Sequence, residues 1–402
     1  MTYDIHPLGG CQNYLSGKCP YLKNKGYEVY ILYAGSQATK FEFKNLAIYS
    51  NGNVPGLDFI PAEMPSFLRE KMLRVMKSKV TRNGRIYDET VVESHYDKMH
   101  LWGELLAESL KAKHICFNCN EIFRGEDKYY EQYLDFYKFK YDRNELYGIV
   151  EKSMEFLFGG FDGQIKATNK LFRAAHPGSV QDTNNFNESI VPEADWSICY
   201  IGRVLKSYVN RILYDVAAFS KEHGDKSINF IIIGDAEAKH EMIHHVFDRV
   251  DNVNLILLGN LIPIPRLLIK RMDVIIAGSG SAFSVISEKI PIIIPDPNSC
   301  LSNGLLGYEN KSAILLEPGR KHESFKQSLD RVLIEKVHTR MKLKYEYHVK
   351  PLNEYYDEHM SMIADSEKQK KYYTRGIIYN GPYSVVHKLN VCLKILKRNG
   401  IR

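Results

Sequence analysis

Between residues 196 and 296 the chain repeats one pattern five times: a short, nearly continuous apolar run that ends at glycine or aspartate. WSICYIG begins at Trp196, INFIIIGD at Ile228, NVNLILLG at Asn252, DVIIAG at Asp273 and IPIIIPD at Ile290. Runs without polar alternation suit strands covered on both faces of a parallel sheet. Between the first two lies SYVNRILYDVAAFSKEH, where Val209, Ile212, Leu213, Val216, Ala217 and Phe219 recur at helical spacing. Strand, helix and strand in alternation predict a doubly wound α/β domain. Such sheets bind ligands beyond the carboxyl ends of their strands.

Three loops fall at those ends. They are Gly202-Arg203-Val204-Leu205-Lys206, Gly259-Asn260-Leu261-Ile262-Pro263 and Gly278-Ser279-Gly280-Ser281-Ala282. Small residues let backbone N–H groups approach a ligand closely. The third loop opens a helix, whose first amides and dipole favour an anion. Arg203 and Lys206 add mobile positive charge. A diphosphate is the expected guest. Any one of these loops is also an ordinary turn; their order carries the signal.

Taken in that order, GRVLK, FIIIGD, NVNLILLGNLIPIPRLL and MDVIIAGSGSAFSVISEKIPIIIPD resemble the donor-binding half of a GT-B glycosyltransferase. They are similar to the family-four type and to capsule and lipopolysaccharide transferases. The resemblance implies an α/β chain of two Rossmann-like domains facing a cleft. It implies a UDP- or GDP-sugar donor as substrate, no cofactor, and a glycan or lipid-linked acceptor in bacterial surface polysaccharide synthesis. Arg203, Lys206 and residues 278–282 would bear the leaving diphosphate, with Gly259, Asn260 and Leu261 beside them. No Asp-x-Asp motif suited to Mg²⁺ is present, so metal independence is expected. The chain departs from the family-four pattern at the ribose. Counting back from Pro291 places Ser284 and Ile276 where two glutamates belong, and Glu288 comes four residues late. Ser284 or Glu288 would then meet the donor. The rivals are a nucleotide-sugar 2-epimerase and a non-catalytic transferase-like subunit.

The net charge of +6 is mild and argues against a nucleic-acid coat. It suits an anionic donor or membrane surface, or a plain excess of lysine. Seven scattered cysteines, an odd number, with no signal peptide, predict reduced thiols in a cytoplasm. Cys116 and Cys119 form a C-x-x-C without a second pair, which reads as structural thiols. No apolar run approaches the ~18 residues that span a bilayer.

The N-terminal half follows the resemblance more loosely. A strand at residues 1–5 is very short, or the true start lies upstream. Gly9 and Gly10, read as donor-binding through backbone N–H groups near the cleft, precede a helix over roughly residues 12–25, which Pro20 should kink or split. EVYILYAG (28–35) and NLAIYS (45–50) read as strands. Residues 65–80 read as a basic helix with Phe67, Leu68, Met72, Val75 and Met76 on one face. DETVVESH (88–95), a helix to about Lys111, and HICFNCNE (114–121) continue the rhythm. The resemblance puts His95 and the Asn120-Glu121 pair at strand ends that face the cleft. Without the carboxylate pair, inversion is expected, with Glu121, then His95, then His6 as the base. Each is equally read as an ordinary polar terminus. The tyrosine-rich stretch 124–148 is a core face or a sugar-stacking surface. The expected organisation is an acceptor domain (1–175), a linker (176–195), a donor domain (196–335), and helices returning to the first domain (336–402). The last helix sets Val385, Val386, Leu389, Val391, Leu393 and Leu396 beside Lys388, Lys394, Lys397, Arg398 and Arg402, a pattern suited to an anionic membrane.

Overall fold

The computed structural model describes every residue except 3, 4, 6–8, 36–45, 47, 82–86, 88, 120–132, 159–169, 176–179, 184–186, 315, 318, 348, 349, 380–382 and 399–402. Two compact units emerge: residues 1–177 with 350–402, and residues 178–349.

In the first unit, β1 (Ile31–Tyr33) pairs in parallel with β2 (Ser50–Asn53). Strands β3 (Val91–Ser94), β4 (Lys113–Asn118) and β5 (Leu146–Gly148) pair in parallel as well. Residues 1–2 join the two sets. Thr2 N–H donates to the Leu32 carbonyl at 3.1 Å, and His95 N–H donates to the Met1 carbonyl at 3.1 Å. Counting residues 1–2 as the first strand, the spatial order is third, second, first, fourth, fifth, sixth, which is a doubly wound order. Helix α1 (Gly10–Asn24) follows the first strand. It runs through Pro20 rather than splitting there. Proline removes a single amide bond near the helix end, and buried Tyr14, Leu15, Cys19 and Tyr21 hold the last turns in place.

Two further expectations fail between residues 45 and 80. The strand lies at 50–53, not 45–50; Leu46 and Tyr49 are buried from a turn closed by Tyr49 N–H on the Leu46 carbonyl. Helix α2 (Ser66–Val80) buries Leu68, Met72 and Met76 but exposes Phe67 and Val75, because the stripe it packs is a narrow i, i+4, i+8 row. Helix α3 (Asp97–Leu110) connects β3 to β4, and α4 (Leu134–Asp142) buries Phe136 and Tyr137 in the core.

The second unit holds a short parallel pair, β6 (Val180–Gln181) with β10 (Ile264–Pro265). Its main sheet contains β7 (Trp196–Ile201), β8 (Ile228–Ile233), β9 (Val253–Gly259), β11 (Val274–Ala277), β12 (Ile292–Pro295) and β13 (Ser302–Leu305). The spatial order is β13-β12-β11-β7-β8-β9, with only β13 antiparallel. This is again third, second, first, fourth, fifth, sixth, read from the other edge. Alternate residues enter two different cores: Ile198, Tyr200, Phe230, Ile232 and Ile276 on one face, Cys199, Ile201, Ile231, Ile233 and Ile275 on the other. Coverage of both faces explains the unbroken apolar runs. Strand β9 departs from that expectation: it ends the sheet, and its residues are mostly half-buried. Helix α5 (Val209–Glu222) buries Val209, Ile212, Leu213, Val216, Ala217 and Phe219, and α6 (Ser279–Val285) follows β11.

Residues 350–402 belong to the first unit and cover both faces of its sheet. Helix α7 (Leu352–Asp365) contributes Tyr356 and Ile363 to one core, and α8 (Val385–Arg398) contributes Val391, Cys392 and Ile395 to the other. The sequence suggested a single apolar face for α8, and the fold divides it. Val385, Val386, Leu389 and Leu393 point outward.

Candidate functional site

The second unit's chain steps outward from β7 to β8 and β9, then returns on the other side of β7 as β11. Loops leaving β7 and β11 therefore start side by side at the carboxyl ends, the place where sheets of this order bind ligands. The pairing of Ala277 with Ile201 sets Gly278 beside Gly202. Gly234 and Gly259 end the next two strands, so four glycines line one edge: 278, 202, 234, 259. Two of them have no room for a side chain. A Cβ on Gly234 would stand 2.0 Å from the Gly202 carbonyl oxygen, and one on Gly202 would stand 2.9 Å from the Tyr200 hydroxyl.

The Tyr200 hydroxyl donates to the Arg203 carbonyl at 3.0 Å and holds the first loop. Arg203 is exposed and Lys206 half-buried. Ser207 Oγ donates to the Pro297 carbonyl at 3.1 Å, which ties this loop to the one after β12. Across the switch point, Gly278 is the extended N-cap of α6, and Ser279 takes φ 57°. The Ser279 N–H already donates to the Ala313 carbonyl at 2.9 Å. Gly280 and Ser281 are half-buried behind it, and Ala282 is in the core. The first and third loops thus come together. Gly259, Asn260 and Leu261 lie two strands from Gly202 on the β9 side. Ser284 donates to the Ser281 carbonyl at 2.7 Å. The Glu288 carboxylate accepts Arg266 Nε at 3.2 Å, and Arg266 also bonds Asp182 at 2.7 Å. Both proposed ribose ligands are therefore already engaged within the fold.

The first unit has its own switch point, between residues 1–2 and β3. Gly9 is the extended N-cap of α1, and Gly10 begins that helix. His95 follows β3 at the same edge. Its ring is buried, with Nδ1 at 3.1 Å from the Met1 carbonyl and Nε2 at 3.7 Å from the Glu93 carboxylate. The buried Lys18 ammonium meets both Glu93 oxygens, at 2.8 and 2.9 Å. Burial pushes the Glu93 carboxyl up, but Lys18 and His95 outweigh it and hold it well below the usual range. Close by, the Cys11 thiol is hydrogen-bonded to Cys119, which lowers it to about 6 against the opposing effect of burial. His6, Asn120 and Glu121 lie outside the described residues. Glu93 and Lys18 were missed from the sequence. The available signals were the i, i+2 spacing of Glu93 and His95 on one strand face and a lysine four residues after Tyr14.

A second polar cluster is fully enclosed. Ser94 Oγ is 2.7 Å from His114 Nε2, and His114 Nδ1 is 2.7 Å from Glu104. Lys140 bonds Glu104 and Glu145, each at 2.7 Å. The spacing is that of a serine–histidine–glutamate triad, but all three side chains are buried, so the array is framework. Cys116 packs in this core while Cys119 packs against the opposite one, so the C-x-x-C is not a paired site. All seven cysteines are free thiols.

No protein-family model matches the chain, and no curated protein matches it in sequence. Solved structures do. A glycosyltransferase from Rickettsia africae aligns over 96% of this chain and 94% of its own, at 12% identity and a TM-score of 0.50. HepE from Anabaena, in complex with UDP, aligns over 98% of both chains at 10% identity and a TM-score of 0.53. The chain has the GT-B fold. A UDP-GlcNAc 2-epimerase from Neisseria meningitidis also aligns, at 11% identity over 97% of this chain and 98% of its own, with a TM-score of 0.39. The GT-B fold accounts for the repeated strand order of the two units. Among the described residues, one group of side chains has metal-ligand spacing: Glu222, His223 and Asp330. Lys326 bonds Glu222 and Asp330 at 2.8 Å each and balances them, at the end of α5 away from the glycine edge. None of the described helices is long and apolar enough to cross a membrane.

Proposed function

We propose that the protein is a metal-independent glycosyltransferase that moves a sugar from a nucleotide-sugar donor to a glycan or lipid-linked acceptor. One observation carries the reading. Two glycine loops meet at the second unit's switch point, with Arg203 and Lys206 on one of them. UDP in the similar HepE structure favours a UDP-sugar over a GDP-sugar. In this reading the acceptor oxygen attacks the anomeric carbon opposite the diphosphate, and the bond from carbon to diphosphate oxygen breaks. Arg203, Lys206 and the amides of Gly280 and Ser281 take up the charge that develops on the leaving group. The acceptor's proton passes to a base among Glu121, His95 and His6, and the product is inverted. Both ring nitrogens of the buried His95 face protein groups, the Met1 carbonyl and Glu93, so His95 serves as the base only after turning out of that pair. Ser284 and Glu288 keep acceptor capacity beside their present partners, and through it they meet the donor's ribose hydroxyls. The setting is a cytoplasm, at the inner face of a membrane, in surface polysaccharide synthesis, and no nucleic acid is involved.

The test is a panel of UDP-sugars with the pure protein, followed by NMR of the product. Release of UDP with an inverted glycoside supports the reading. A retained anomer removes the base assignment. A sugar inverted at C2 makes the protein an epimerase, and no turnover of any bound donor makes it a non-catalytic subunit. If Glu121→Gln, His95→Ala and His6→Ala all turn over normally, the base lies elsewhere; the correct variant loses about 10²–10⁴ in turnover.

A further inference from the structure

Helix α8 has two apolar faces and uses one of them. Val391, Cys392 and Ile395 are buried, and Ile395 stands against Gly56 beside Met72 of α2. Val385, Val386, Leu389 and Leu393 are 75%, 66%, 53% and 63% exposed. At 100° per residue these four form a single stripe, turned away from Val391 and Ile395. A helix that has already buried one face gains nothing in folding from a second. Cations border the stripe. Lys394 and Lys397 are exposed and Lys388 is half-buried, while α8 contains no acidic residue.

The neighbouring helix repeats the arrangement. Beyond its buried row, α2 exposes Phe67 and Val75 together with Lys71 and Arg74. Both helices flank Gly56, where an added Cβ would meet Ile395 and Met72 at 3.0 and 3.2 Å. The acids nearby are few: Glu70 on α2 is exposed, and Glu63 pairs with His387 at 3.4 Å. Exposed aliphatic and aromatic groups bordered by cations match a bilayer interface with anionic headgroups, which takes apolar side chains and attracts the charges beside them. A nucleic acid would use the cations and leave the stripe in water.

We propose that the outer faces of α8 and α2 form a surface on which the protein docks to an anionic lipid bilayer. Val385, Val386, Leu389, Leu393 and Phe67 enter the headgroup–acyl boundary, and Lys394, Lys397, Lys71 and Arg74 meet the lipid phosphates. The proposal stands on exposure and charge and does not depend on the reaction proposed above.

The experiment is co-sedimentation of the full chain with vesicles of phosphatidylcholine containing about one third phosphatidylglycerol, beside vesicles of phosphatidylcholine alone. Binding to the anionic vesicles is expected, with little to the neutral ones. It should weaken as salt shortens the screening length from ~10 Å at 0.1 M to ~3 Å at 1 M. Lys394→Glu with Lys397→Glu should lower partitioning by roughly thirtyfold or more. Leu389→Ser with Leu393→Ser should lower it by roughly tenfold or more, with melting temperature and UDP affinity unchanged. If that variant melts early, the salt and neutral-lipid arms on the unaltered chain decide. Equal binding to both vesicle types, no binding, or full binding by both variants overturns the proposal. So does a dimer that Leu389→Ser with Leu393→Ser dissolves, since the stripe would then belong to a second copy. UDP affinity in solution, measured alongside, keeps failure here separate from failure of the transferase reading.

Discussion

Arg203 and Gly234 act in opposite ways at the same edge. Arg203 is exposed at the end of a loop anchored by Tyr200, so its removal leaves the fold alone. Arg203→Ala is expected to weaken UDP binding by about 1.5–3 kcal/mol, the range for hydrogen bonds to charged groups. Calorimetric titration checks this, and unchanged affinity would mean that Arg203 is not a phosphate ligand. Gly234 bears on the same site through sterics. An alanine there would put a carbon 2.0 Å from a backbone oxygen, and neither strand end can rotate out of the way. Gly234→Ala should therefore cost roughly 1–3 kcal/mol of stability, as overpacking does, and should lower UDP affinity as the Gly202 loop moves. Denaturant unfolding and the same titration read the two effects; a variant with wild-type values in both would show the loops to be adaptable. Arg203 was legible from its place after an apolar run. The role of Gly234 was not, because it depends on a carbonyl 32 residues earlier in the chain.

The pairing of α3 with β4 shows how an element sets a pH dependence. Burial, then Lys140, lower His114 to about 4 against the pull of Glu104. Glu104 lies at about 2, because Lys140 and His114 outweigh its burial. Where the unfolded chain binds a proton at His114 and the folded one does not, that proton favours the unfolded chain, so the stability the neutral ring has at higher pH is given up as pH falls. That contribution is complete above the unfolded histidine value of ~6.5 and is lost as pH falls toward about 4. The Glu104 contribution is complete above the unfolded glutamate value of ~4.3 and is lost as pH falls further, toward about 2. Stability should thus drop by on the order of 1–2 kcal/mol between pH 7 and about pH 5, before the carboxylates titrate. Urea unfolding at a series of pH values checks this; a flat profile down to about pH 5 would mean that His114 is charged in the fold. Gly103 belongs to the same device, since its Cβ would stand 2.5 Å from His114 Nε2.

For the molecule as a whole, two compact units with separate cores should unfold in separable steps. The three loops read as holding the diphosphate all lie in residues 178–349. UDP at about a hundred times its dissociation constant should stabilise that unit alone, by ~2.7 kcal/mol. Scanning calorimetry should show one transition moving and one standing still. Equal movement of both would mean that the nucleotide contacts residues of the first unit or that the units unfold as one.

Much of this was written locally. Apolar runs of unbroken hydrophobicity can be satisfied only where both faces of a strand are covered, so residues 196–296 announced a doubly wound domain and the loops at its carboxyl edge. Helix α5 followed from spacing alone. What the chain could not announce depends on which segments become neighbours. The adjacency of the Gly202 and Gly278 loops comes from β11 returning beside β7, a pairing 76 residues apart. Lys18 becomes a buried partner of Glu93 only because α1 packs on β3; its spacing from Tyr14 places it on the helix's buried side but does not say which carboxylate it meets. The two faces of α8 look alike in sequence, and burial of Ile395 against Gly56 separates the face that folds the protein from the face left in water. Local pattern records how a segment prefers to bury itself; contacts between distant segments settle what it is buried against.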